Sequence, residues 1–121
     1  LSGFFIEEIM ADTIVGVQAR NVPQVALAAG KLVSVSPTIL YGISGYNSGP
    51  AQFVQLHDKA SAGVNAEVPV HNIAVAAAAN FSIDFGVYGM NFANGLYVAN
   101  SSTAAALTAG AADCQFFARV R

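Results

Sequence analysis

Charge is scarce in this chain: 10% of its 121 residues are Asp, Glu, Lys or Arg, against about 25% in an average soluble protein. A domain this small keeps much of its surface in water and normally covers it with charged side chains. Two arrangements accommodate the shortage. Either the outer faces are coated with Ser, Asn, Gln, Gly and Ala, or much of the surface is buried against other chains, because large exposed apolar patches are rare on monomers. The 55% hydrophobic content favours the second.

Other absences narrow the function. The five basic residues, Arg20, Lys31, Lys59, Arg119 and Arg121, are scattered along the sequence, whereas a nucleic-acid footprint needs them clustered, so no nucleic-acid partner is expected. A single cysteine, Cys114, excludes an internal disulfide and any CxxC pair. Its apolar neighbours suit a small buried hydrophobe in a strand. The absence of tryptophan weakens a sugar-stacking role for Tyr41, Tyr46, Tyr88 and Tyr97, whose ordinary use is to span core and surface. Apolar runs are broken well short of the roughly 18 to 20 residues a membrane helix needs. Within residues 22–35, for example, Pro23, Gln24, Gly30 and Lys31 interrupt, and no membrane partner is expected. The opening LSGFFIEEIMADTIVG carries Glu7, Glu8 and Asp12 without the basic region of a secretion signal.

What is present reads as short β-rich runs separated by turn residues. Residues 32–36, 38–46, 51–58, 68–76, 81–88, 96–100 and 114–120 form about seven expected strands. In the second, alternation puts Ile39, Tyr41 and Ile43 on one face. The Asn47-Ser48-Gly49-Pro50 turn makes residues 51–58 its expected hairpin partner. The clearest strand alternates Phe81, Ile83, Phe85 and Val87 with Ser82, Asp84, Gly86 and Tyr88. Residues 101–113 (SSTAAALTAGAAD) suit a single helical turn after a Ser/Thr cap or an extended surface loop, the loop being favoured. The fold class is therefore all-β, an antiparallel β-sandwich of about seven to eight strands over residues 31–121, with the jelly-roll form preferred. Residues 1–30 read as an N-terminal arm or an added strand. An arm would lie on a neighbouring subunit and bury Phe4, Phe5 and Ile6 there, whereas an added strand would pack on its own domain.

The chemistry-bearing residues give no recognisable site. His57 and Asp58 are adjacent on an expected strand and should point to opposite faces. No G-x-S-x-G elbow is present, and Cys114 sits in an apolar strand. His57, Asp58, His71 and Asp113 have acceptable metal-ligand types but no diagnostic spacing. No phosphate-loop motif occurs, so Gly42, Gly45, Gly86, Gly89 and Gly95 read as bulges, bends and turns. No catalytic residue, cofactor or metal is expected.

Three stretches, GYNSGPAQFVQLHD (45–58), NFSIDFGVYGMNFANGLYVANSSTA (80–104) and GAADCQFFARV (110–120), carry a resemblance. Together they resemble small structural proteins of tailed-phage virions. The resemblance implies a non-enzymatic virion component on the phage particle surface: first a capsid decoration or cement protein, second a tail or head–tail component or a receptor- or glycan-binding virion protein. It implies a homo-oligomer, a trimer being favoured, that contacts the major capsid protein or other virion proteins. The expected interface residues are Phe4, Phe5, Ile6, Tyr46 and Tyr88.

Overall fold

A computed structural model describes residues 19–121. Among the described residues there is no helix. Nine strands follow in chain order: β1 (Arg20–Ala28), β2 (Gly30–Ser34), β3 (Thr38–Asn47), β4 (Gln52–His57), β5 (His71–Val75), β6 (Ala79–Asp84), β7 (Met90–Phe92), β8 (Leu96–Ser101) and β9 (Cys114–Val120). The front sheet has the order β1-β9-β3-β6, with β7 also on β3; the back sheet has the order β2-β8-β4-β5. All pairings are antiparallel. A five-strand and a four-strand sheet whose neighbours come from distant parts of the chain form a jelly roll. Here β6 and β7 jointly supply one front-sheet edge position, pairing successive stretches of β3.

Period-2 alternation builds the core. Along β9, Cys114, Phe116, Ala118 and Val120 are fully buried between the sheets, while Gln115, Phe117 and Arg119 face outward. Leu40 and Ile43 of β3, Val54 and Leu56 of β4, and Leu96 and Val98 of β8 meet them. Phe81 packs edge-on against Phe116, ring centroids 6.3 Å apart. Burying each such large side chain stabilises by about 1.5–3 kcal/mol. Gly45 faces the same interior, where a Cβ would lie 2.0 Å from the Gln115 carbonyl and 2.6 Å from the Phe81 ring.

Several strand expectations change in detail. Residues 51–58 do not pair with β3. The Asn47–Pro50 turn instead carries the chain between sheets, and β4 pairs with β5 and β8. Asn47 holds this corner by donating from Nδ2 to the carbonyls of Pro50 and Ala76, while Ser48 reaches across to the Asp113 carbonyl. Ile39, Tyr41 and Ile43 do not share a face either. The register of β3 against β9 slips between Leu40 and Gly42, a bulge that places Leu40 and Ile43 in the core and leaves Ile39 and Tyr41 only half-buried. The strand from Phe81 ends at Asp84, and Val87, 82% exposed, leaves the core face. Gly86 and Gly89, at φ +82° and +70°, let the intervening loop turn away from β3.

At the N-terminal side, Arg20–Ala28 is an edge strand on β9. That position tolerates Pro23, which has no N–H for a central ladder. Phe4, Phe5 and Ile6 lie outside the described residues.

Candidate interaction faces

The two outer faces of the sandwich are finished differently. On the back sheet, Gln55 and His57 occupy the outward positions of β4, yet both are buried. Two loops roof them. Residues 58–70 and 102–113 are joined by hydrogen bonds from the Ala66 amide to the Leu107 carbonyl (2.8 Å) and from the Leu107 amide to the Glu67 carbonyl (2.7 Å). Leu107 is 1% exposed, and the Lys59–Glu67 ion pair closes one side. The Gln55 amide nitrogen donates into the roof, within 2.8–3.3 Å of the carbonyls of Thr103, Ala104 and Ala106. Its Oε1 is therefore left to accept from His57 Nε2 at 3.0 Å. A neutral His57 thus carries its proton on Nε2. Burial pushes its pKa below the ordinary value; Glu67 opposes this shift and Lys59 adds to it.

Asp58 goes elsewhere, accepting from the backbone amides of Ala93 and Asn94 at 3.2 and 2.8 Å. His71 lies against the Phe85 ring, centroids 5.4 Å apart. Asp113 approaches Gln52. These four residues serve four separate contacts, and among the described residues no three His, Cys, Asp or Glu side chains gather.

At one end of the interior a polar cluster closes the sandwich. Gln52 Nε2 donates to Asn47 Oδ1 at 2.8 Å, and Asn100 Nδ2 donates to Gln52 Oε1 at 3.0 Å and to the Ala111 carbonyl at 2.9 Å. Asn47, Gln52 and Asn100 are buried, and Asn100 Oδ1 has no partner among the described residues. Gly110 is required here, because a Cβ would sit 2.7 Å from Asn100 Nδ2. Residues of the stretches 45–58, 80–104 and 110–120 converge on these two places: Asn47, Gln52, Asn100, Asp113 and Cys114 at the cluster, and Gln55, His57, Thr103 and Ala104 where the roof meets β4. They are residues that hold the fold together.

On the front sheet, by contrast, no loop among the described residues forms such a roof. Three adjoining depressions follow β3 between the outward side chains of β9 and β6. The first, of about 410 Å³, is lined by Ala19, Tyr41, Asp84, Gly86, Val87 and Arg119. The second, about 160 Å³, shares Arg119 and adds Asn21, Ser44, Ser82 and Phe117. The third, about 360 Å³, shares Ser44, Ser82 and Phe117 and ends at Tyr46, Asn80 and Gln115. Small residues make the floor. Gly42 leaves space for the Arg119 guanidinium, which a Cβ would meet at 2.3 Å. Among the described residues, the side chains of Ser44, Tyr46, Asn80 and Ser82 make no hydrogen bond.

Tyr46 stands half-buried at one end of this trough, and Tyr88, 90% exposed, stands on the loop beyond its other end. Tyr97 belongs to the back sheet beside His57, so the tyrosines do not form one platform. The trough itself was missed by strand alternation alone. The small outward residues Gly42, Ser44 and Ser82 are its trace in the sequence. Arg20, Arg119 and Arg121 lie on neighbouring backbone rungs at one end of the front sheet, with Arg20 opposite the inward-facing Val120 and Arg119 on the outer face.

No protein-family model, curated protein or solved structure matches this chain.

Proposed function

We propose that this chain is a non-enzymatic structural protein of a phage particle, a decoration or cement protein that binds the shell as a homo-oligomer. The observation that carries the reading is the inequality of the two faces among the described residues: a roofed back sheet and an unroofed front sheet with half-buried aromatics, in a chain with 10% charged residues. A face of this kind is suited to burial against protein, and many equivalent weak contacts on a closed shell act together through multivalency. The non-enzymatic reading is supported by the engagement of His57 with Gln55 and of Asp58 with backbone amides.

The test uses shells lacking this chain. Purified chain added to them should co-sediment and saturate at a fixed number of copies per shell. Absence of binding at saturating concentration contradicts the reading.

A second reading, recognition of a host receptor or glycan by the particle, is favoured by Tyr88, which stands 90% exposed beside Val87 on a loop bracketed by glycines. It predicts binding to host cells or a glycan array that Tyr88→Ala abolishes, whereas shell binding would survive that change.

A further inference from the structure

We propose that the front-sheet trough is the seat for residues 1–18 of a second copy of this chain, so that copies are linked by exchanged N-terminal segments. The inference rests on the assembly reading above and names the surface through which assembly occurs.

Three observations fit this occupant. First, shape: the depressions run end to end along β3 from Tyr41 to Tyr46, a path of roughly 17 Å at the rise of a strand. An open trough along a strand, with small residues on its floor and Phe117 and Tyr46 at its side, accommodates an extended peptide whose alternate side chains enter it. Second, length: residues 1–18 precede the trough wall at Ala19 and reach up to about 60 Å when extended. That is enough to leave one domain and traverse the trough of the next. Third, complementarity: residues 1–18 contain Glu7, Glu8 and Asp12 with no Lys or Arg, among apolar residues that include Phe4, Phe5, Ile6 and Ile9. The trough offers apolar area at Phe117 and Val87 and cationic charge at Arg119, which shares the first depression with Asp84. Opposite charge at the rim fixes partner and register, while the apolar side chains supply the buried area. Exchange between copies, with the same segment and the same trough on each, gives a two-fold dimer where it is reciprocal and a ring where it runs head to tail and the rotation closes.

The experiment is charge exchange in the full chain, read by native mass spectrometry and sedimentation. Arg119→Glu, and separately the pair Glu7→Arg with Glu8→Arg, should each weaken self-association at least tenfold while leaving unchanged the thermal midpoint measured at dilutions where all the chains are monomers. Mixing the two variants should produce mixed oligomers, because each supplies the partner the other lacks. The inference is overturned if the wild-type chain associates and neither variant weakens it, which leaves the assembly reading standing on another surface. It is equally overturned if the wild-type chain is a monomer at all concentrations. Shell binding by such a monomer would keep the proposed function and remove the exchange.

Discussion

His57 Nε2 lies 3.0 Å from Gln55 Oε1, on the outward side of a strand, and both side chains are nevertheless sealed from solvent. The pair joins β4 to the loops above it: Gln55 is fixed by the carbonyls of residues 103–106, and His57 is fixed by Gln55.

This pair predicts a pH dependence. The folded pKa of His57 is lowered by burial, so the unfolded chain binds the proton more readily. The His57 contribution to stability is complete above the unfolded value of about 6.5. It is lost as the pH falls through 6.5 toward the lower folded value. Urea midpoints measured between pH 7.5 and 5 should decline in wild type, and His57→Gln should reduce the slope.

Leu107 anchors the roof from above. It is 1% exposed, and it stands where a Cβ on Gly63 would meet its Cδ2 at 2.9 Å. Leu107→Ala should cost about 2–5 kcal/mol. Limited proteolysis should then cut first within residues 59–70 and 102–113, and the His57 pKa read by NMR should move up toward its ordinary value.

The interior polar cluster gives a different signature. Asn100→Ala removes the donor to Gln52 Oε1 and the Ala111 carbonyl and leaves both without that partner. The expected cost is about 1–3 kcal/mol, measured by denaturant titration. The 110–113 loop should exchange its amide protons faster than in wild type.

Cys114 is fully buried, and burial, reinforced by Asp113, pushes its thiol up to about 11. Since the thiolate is the reactive form, native protein at pH 8 should resist thiol reagents. Labelling should occur at the rate of global unfolding, and fast labelling of the native state would contradict this burial.

The sandwich was legible in the sequence because alternation of the kind seen at Cys114–Val120 and Phe81–Asp84 directly states which side chains face a core. Where the chain crosses between sheets was not legible. Asn47-Ser48-Gly49-Pro50 has the residues of a hairpin turn, and only the distant partners Ala76 and Asp113 make it a corner. The bulge beside Gly42 was legible in kind, since Gly42 reads as a bulge or bend glycine, but its effect of parting Tyr41 from Ile43 appears only in the pairing with β9. The burial of Gln55 and His57 was not legible, because their cover comes from a loop some 50 residues later. The separation of His57 from Asp58 was legible in outcome, since adjacent strand residues diverge. The contacts that hold each of them are long-range and were not. The trough depends on three strands brought together from across the chain.

The central claim is that this chain works by reinforcing a shell, and the most direct measurement is the temperature at which particles release their contents. Particles depleted of the chain should release at a lower temperature than complete ones, and adding back purified chain should restore the original value. Depleted particles as heat-resistant as complete ones would contradict the account.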